Sequence, residues 1–477
     1  MLTASKKVIN GWAMYDWANS VYNLVITTTF FPVLYSTIVR NTPYNGTINF
    51  MGRSFDAVPF KDYCMSFTFL IIVVLIPILS SIADTRGNKK QFMFFFCTLG
   101  SICCSALFFF DASNVLLSIF LFCLATMGFY GSQVFYNSYL PDIAAVQDQD
   151  RISAKGYTYG YIGSVILQLI GFGLVLYYGD EDKLFPLQLT FLLVGLWWFG
   201  FAQITFARLP ASLPSISTKR NLVHDGIQEL KKVLTQLAHL PQLKKYLIAF
   251  FLYSTGVQTI MLAATDFGLT ELMLDDSTLI LTIVIIQLVA IPGAIGMAKL
   301  SGSIGNIKTL MLTVSFWIIV CFSGYTLGNM ASTLKPYATQ LLSLKQELST
   351  ATTATKANLE QQIVLVKQSM KPVQAPITYW FYLLAVAVGL VMGGIQALSR
   401  ATYAKLMPVT NDTASFFSFY DVMEKLSIVV GIFSFGYIHE LTGSMSNSIL
   451  ALLIFFVLGL VMLYFTLKSP THATTHH

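Results

Sequence analysis

Three ionisable residues interrupt an apolar run late in the chain: Asp421, Glu424 and Lys425. A charge at the centre of a bilayer span costs about 2.5–3.5 kcal/mol on insertion scales, so three unpaired ones would cost on the order of 8–10 kcal/mol. They must therefore be paired, hydrated or close to an interface. Asp421 and Lys425 stand at i,i+4 and can pair on one helical face. Two readings follow. One is a gate or coupling site at which Lys425 exchanges carboxylate partners; the other is a fixed intrahelical ion pair. Near the N-terminus, Asp16, Asn19, Asn23 and Thr27 are spaced by three, four and four residues, which places them on one helical face. That face either lines a wet cavity or holds helices together by polar contacts. Tyr157, Tyr161, Ser164 and Gln168 form another stripe, read as a solute path or as packing. Gln396, Ser399, Arg400 and Tyr403 share a face. Arg400 either holds a carboxylate or snorkels to the headgroups. Gln258 and Thr259 add possible polar contacts.

These residues sit in a chain of 477 residues that is 55% hydrophobic and only 11% charged. Soluble domains carry roughly 25% charged residues. The deficit excludes a disordered chain, a secreted disulfide scaffold and an ordinary cytosolic enzyme, and it points to a polytopic membrane protein. A span needs about 20 apolar residues. Twelve runs qualify: 11–39, 63–83, 92–110, 115–138, 156–178, 187–207, 246–266, 277–298, 309–329, 376–397, 416–439 and 448–467. They lack the alternation of barrel strands, so the expected fold is all-α with twelve transmembrane helices. With the N-terminus inside, nineteen of the 29 Lys and Arg fall in cytoplasmic segments and nine outside, five of those nine in one long insert. This predicts both termini in the cytoplasm, and the net charge of +6 then reports topology rather than nucleic-acid binding.

The runs repeat. Tyr136-Asn-Ser-Tyr-Leu-Pro141 ends span four, and Arg400-Ala-Thr-Tyr-Ala-Lys-Leu-Met-Pro408 ends span ten. Asp84-Thr-Arg-Gly-Asn-Lys-Lys90 follows span two, and Gly302-Ser-Ile-Gly-Asn-Ile-Lys308 follows span eight. An offset of six spans preserves orientation, so the predicted architecture is two parallel six-helix halves with a site between them near the midplane. The expected divisions are an N-terminal half over 1–207, a cytoplasmic linker over 208–245, a C-terminal half over 246–467 and a tail over 468–477. In the linker, Val223, Ile227, Leu230, Leu234 and Leu237 predict an amphipathic helix that either lies on the cytoplasmic headgroups or braces the two halves. An outer insert over 330–375 predicts a helical hairpin from the stripes Leu334, Leu341, Leu348 and Leu359, Ile363, Val366, Met370, separated by Ser349 to Thr355.

The Asp84–Lys90 segment resembles the signature loop of the major facilitator superfamily, although Ser80 stands where a Gly is expected and Arg86 comes one place late. Trp12-Ala-Met-Tyr-Asp-Trp-Ala-Asn-Ser20, Phe135-Tyr-Asn-Ser-Tyr-Leu-Pro-Asp-Ile143 and Phe417-Ser-Phe-Tyr420 before Lys425 are similar to the branch holding the autophagy-related vacuolar amino-acid effluxers and their bacterial relatives. That resemblance implies the major facilitator fold and export of small solutes by alternating access, amino acids in the vacuolar members. It adds Asn137 to the candidates. It makes Asp84, Arg86, Gly87, Lys89 and Lys90 a gate loop whose ion pairs form in one state only; the alternative is that these basic residues only set topology. Family members carry an acid in a Tyr-x-Asp-Gly stretch of span seven, where this chain has Tyr253-Ser-Thr-Gly256. Any proton coupling must then use another carboxylate, with Asp16, Asp421 and Glu424 as candidates.

No G-x-x-x-x-G-K-[ST] loop, G-x-S-x-G or H-E-x-x-H occurs, which argues against an ATP-driven pump or a membrane hydrolase. The six cysteines have no metal-ligand spacing and read as inert buried thiols. The expectation is a monomeric carrier of a small polar solute in a bacterial inner membrane. No cofactor, metal or nucleic acid is expected. The alternative is a transporter-derived membrane sensor or scaffold.

Overall fold

The computed structural model describes residues 2–40, 44, 46–179, 184–211, 222–350 and 353–469. Span one is broken into α1 (Lys6–Val21), a π-helical stretch (Tyr22–Phe30) and α2 (Phe31–Arg40). A β-hairpin follows, β1 (Thr47–Phe50) with β2 (Arg53–Asp56). The first half continues with α3 (Ala57–Arg86), α4 (Lys89–Ala106), α5 (Val115–Ile143), α6 (Gln149–Tyr178) and α7 (Phe185–Arg208). After α8 (Leu222–Ala238) come α9 (Pro241–Asp266), α10 (Asp276–Ile304) and α11 (Asn306–Ala331). The hairpin arm α12 (Lys335–Thr350) precedes α13 (Thr353–Leu406), and α14 (Thr413–Thr442), α15 (Met445–Ala451) and α16 (Leu453–Leu467) complete the second half.

Eleven helical stretches among the described residues are long and apolar enough to cross a membrane. The twelfth crossing is α14, whose 30 residues rise about 45 Å; its charges dilute its apolar signal. Twelve crossings return both ends to one face, here called the terminal face.

Helix neighbours repeat under a shift of six spans. In the first half α1 packs on α6 and α7, and α4 packs on α5 and α7. In the second half α9 packs on α14 and α16, and α11 packs on α13 and α16. The halves meet through two related pairs, α6 with α10 and α14 with α3. Hydrophobic burial cannot drive such contacts in lipid, so close packing of small residues does. The α10–α13 contact depends on it: a Cβ added to Gly393 would lie 2.3 Å from the Ala290 carbonyl oxygen.

Two local features escaped the sequence. The hairpin turn puts Met51 and Gly52 at φ of 50° and 78°, a two-residue turn that few side chains announce. The π-helical stretch ends just before Pro32, where the Phe31 amide donates to the carbonyl five residues back, at Ile26. Pro32 cannot donate to Thr28 in a normal helix, and the wider turn absorbs that loss. In α8, Val233 and Leu237 are buried and Leu234 is exposed; the helix packs on α3 of the first half and touches α9 and α14 of the second, the bracing arrangement rather than the headgroup one. The side chains of Val223 and Ile227, and the hairpin turn at 351–352, lie outside the described residues.

Adding one methyl at a contact this close overpacks the interface by about 1–3 kcal/mol. Gly393→Ala should therefore lower the melting temperature in detergent, while Gly436→Ala, whose Cβ meets open space, should not. Equal melting of the two variants would remove close approach as the basis of the α10–α13 contact.

Candidate functional site

Arg400 of α13 is buried, with only 1% of its side chain exposed. Its Nε donates to Ser153 Oγ (2.9 Å) and its Nη2 to the Ser153 carbonyl (2.9 Å). Its Nη1 donates to Asn137 Oδ1 (3.1 Å), and both terminal nitrogens reach Asp16 Oδ2 at 3.4 Å. Tyr136 donates its hydroxyl to that same Asp16 oxygen at 2.7 Å. The guanidinium lies over the rings of Trp12 (4.8 Å), Tyr136 (5.4 Å) and Tyr157 (4.3 Å). One cation from the second half is thus enclosed by a carboxylate, an amide and three rings from the first. Gly156 makes room: a Cβ there would sit 2.4 Å from Asp16 Oδ2 and 3.0 Å from Arg400 Nη2. Snorkelling of Arg400 to the headgroups is therefore excluded, because its hydrogen-bond donors are satisfied inside the protein.

In α14, Lys425 Nζ bonds Asp421 Oδ1 at 3.1 Å and also Glu424. It lies 4.1 Å from the Tyr130 ring of the first half. Gln258 Nε2 donates to Glu424 Oε1 at 3.1 Å. Lys425 is thus held by two acids at once, and Asp421 Oδ2 is buried with no partner. Between the Arg400 and Lys425 clusters opens a narrow cavity whose lining includes Tyr157, Gln258, Gln396, Ser399, Tyr420 and Glu424. A second cavity lies within the second half among Met261, Phe267, Cys321, Phe381 and Val388 and is almost wholly apolar.

Toward the terminal face, two polar clusters tie the halves together. Asp84 of α3 accepts from the Ala414 amide (3.2 Å), the Ser415 amide (2.6 Å) and the Ser415 hydroxyl (2.8 Å). It therefore caps the N-terminus of α14, where unpaired amides and the helix dipole favour an anion. Lys89 beside it bonds Asp142 (2.7 Å) and the Thr413 hydroxyl (2.6 Å). In the related position, Asp150 at the start of α6 accepts from Ser301 (2.8 Å), Asn306 (2.6 Å) and Lys405 (2.6 Å) of the second half. Gly87, at φ 66°, ends α3 and lets the chain reverse. Lys90 donates to the Leu209 carbonyl (3.0 Å), and Arg86 is exposed.

The remaining candidates are dispersed. Tyr161 donates to Gln396 Oε1 (2.9 Å), and Gln168 bonds Thr29 (3.1 Å) and accepts from Gln287 (2.9 Å). Asn19 is fully buried with its amide unpartnered, and Asn23 is half-buried. Of the span-one stripe, Asp16 and Asn19 lie in α1, and Asn23 and Thr27 lie in the π-helical stretch that follows it. Thr255 donates to the Phe251 carbonyl of its own helix (2.8 Å). Sequence reasoning missed Ser153, Tyr130, Asp142 and Asp150. For Asp150 a signal existed: it is an acid in the first turn of α6, where an anion is favoured.

Removing one partner of a buried ion pair strands the other charge and costs about 3–5 kcal/mol. Asp16→Asn should lower unfolding stability in detergent, and adding Arg400→Gln should restore part of it, with a coupling of about 1–3 kcal/mol in a double-mutant cycle. Strictly additive losses would show that the pair contributes nothing.

A family model described as "Vacuole effluxer Atg22 like" matches residues 4–337 and 372–470, leaving most of the outer hairpin outside the match. An MFS-type transporter of Bacillus subtilis (strain 168), YxiO, is 28% identical over 98% of this chain and 96% of its own length. Autophagy-related protein 22 of Kluyveromyces lactis is 26% identical over 96% of this chain and 92% of its own. Among solved structures, the human organic anion transporter MFSD10 superposes with a TM-score of 0.65 at 12% identity, over 96% of this chain and 99% of that one. A bacterial homologue of the iron transporter ferroportin, outward-facing, gives 0.61 at 11%, over 97% and 99%. At such identities these structures show the fold alone, and the fold is that of major facilitator transporters. With a family match spanning most of its length, the chain belongs to the Atg22-like vacuole effluxer family, a branch of the major facilitator transporters.

Proposed function

We propose that this protein exports a small polar solute, an amino acid or related metabolite, by alternating access between its halves. The observation that carries this reading is the Arg400–Asp16 pair, which crosses the halves beside a polar cavity. An ion pair that joins rigid halves next to a cavity can act as a gate, because opening the halves must break it. The proposed divisions are halves over 1–207 and 246–467, a linker over 208–245 and an outer hairpin over 330–375. The basic-residue asymmetry supports a cytoplasmic terminal face, and the Bacillus relative supports a bacterial cell membrane. The family description supports efflux, and the resemblance of the span-one and span-four motifs to the vacuolar amino-acid effluxers is the ground for amino acids.

In this reading the three ties on the terminal face hold the carrier shut toward the cytoplasm. Asp84 with the α14 N-terminus, Asp150 with Ser301, Asn306 and Lys405, and Asp16 with Arg400 release together when that face opens. Lys425, Asp421 and Glu424 form the coupling centre, and Asp16, Asp421 and Glu424 are the proton-carrying candidates. Rocking changes the water access of these acids, and a proton on any of them weakens its hold on the neighbouring cation.

Counterflow in proteoliposomes tests the carrier. Labelled amino acid should accumulate against an unlabelled interior pool, and binding without exchange of any small polar solute would instead mark a sensor or scaffold. Asp16→Asn and Asp421→Asn should flatten the pH dependence of flux; an unchanged profile in both would discard these acids as proton carriers. An anion at a helix N-terminus is worth about 0.3–1 kcal/mol, up to ~2 when partly buried. Asp84→Asn should accordingly speed hydrogen exchange several-fold at the first amides of α14, and unaltered exchange there would refute the cap as a tie.

A further inference from the structure

The balance of donors and acceptors around the central cavity is unequal. On the cationic side nothing is left to offer. Arg400 directs its Nε and both terminal nitrogens at Ser153, Asn137 and Asp16, and Lys425 is held by Asp421, Glu424 and the Tyr130 ring. Each is 1% exposed, and neither lines the cavity. On the anionic side capacity remains. Glu424 does line the cavity, with 25% of its side chain exposed, and Asp421 Oδ2 is buried without a partner. Counting Asp16 with these, the five charges of the two clusters sum to one net negative.

The wall has matching chemistry. Tyr157, Phe250, Tyr253 and Tyr420 line the cavity together with Glu424, and Phe250 stacks on Tyr420 with centroids 4.2 Å apart. Aromatic rings attract a cation through their quadrupole and do not attract a carboxylate. The other polar groups, Ser254, Gln258, Gln396 and Ser399, are neutral. An anionic solute entering here meets a carboxylate and no available cation. An ammonium meets a counter-ion, carbonyl and hydroxyl oxygens, and rings.

We propose that the central cavity recognises its solute by an ammonium group, with Glu424 as the counter-ion and the rings of Tyr157, Phe250, Tyr253 and Tyr420 as the surrounding wall. This rests on the carrier reading above and specifies its substrate class as amines, including amino acids held by their amino end. A carboxylate is tolerated but not required. The solute's positive charge also offsets the net negative of the site, so a loaded cavity costs less to desolvate than an empty one.

Three probes of one shape separate the groups: leucine, leucinamide (ammonium without carboxylate) and 4-methylpentanoate (carboxylate without ammonium). Binding is measured by calorimetry on the full chain in lipid nanodiscs. Leucinamide should bind at least as tightly as leucine, and 4-methylpentanoate at least tenfold more weakly. Glu424→Gln should weaken leucinamide about tenfold. Phe250→Leu, which removes a ring and no charge, should weaken it about three- to tenfold, in the range of a cation–π contact. A monodisperse size-exclusion profile establishes that each variant is folded. Equal binding of 4-methylpentanoate and leucinamide would overturn the proposal, as would failure of all three to bind at millimolar concentration. Counterflow separates this from the carrier reading. Exchange confined to solutes lacking an amine would sink the ammonium site and keep the carrier, whereas tight ammonium binding with no exchange of any solute would do the reverse.

Discussion

The most enclosed tie between the two halves of this protein is one guanidinium. Arg400 belongs to one half, and the partners of its head group, Asp16, Asn137, Ser153 and the rings of Trp12, Tyr136 and Tyr157, belong to the other. A charge so far from water survives only if its ligands stay in place. That requirement explains the nearby sequence: a glycine at 156 to admit the carboxylate, and aromatic residues where aliphatic ones would have packed equally well. The same enclosure makes the contact switchable, because the cation can leave only when the halves separate.

Around this pair the repeat is kept in shape but reversed in charge. At one inter-half contact the acid comes from the end of span two and caps span eleven. At the related contact the acid comes from the start of span five and takes bonds from the ends of spans eight and ten. Gly302 occupies the place of Asp84, so the second contact has no acid in the loop and supplies one from the opposite helix. Both solutions satisfy a helix end facing the partner half. Symmetry of backbone therefore does not require symmetry of charge.

Much of the architecture was legible in advance. Twelve apolar runs, their repeat and the i,i+4 pairing of Asp421 with Lys425 depend on local spacing, which a linear string records. The change to π-helical winding at Tyr22 was not legible, because the spacing of span one fits uniform helical steps as well. Arg400 was ambiguous because its distance from the helix end permits either snorkelling or inward pairing. Leu234 belongs to the apolar stripe of α8 yet is exposed, because periodicity defines a stripe but not which edge of it meets a neighbour.

Composition by itself determined the solvent and the number of crossings, since both follow from how many apolar residues must cover a fixed thickness of hydrocarbon, and motifs that recur six spans apart determined the parallel duplication. Only tertiary structure decided which charges meet. Asp16 and Arg400 are separated by most of the chain, and their attraction becomes strong only after packing removes the water between them.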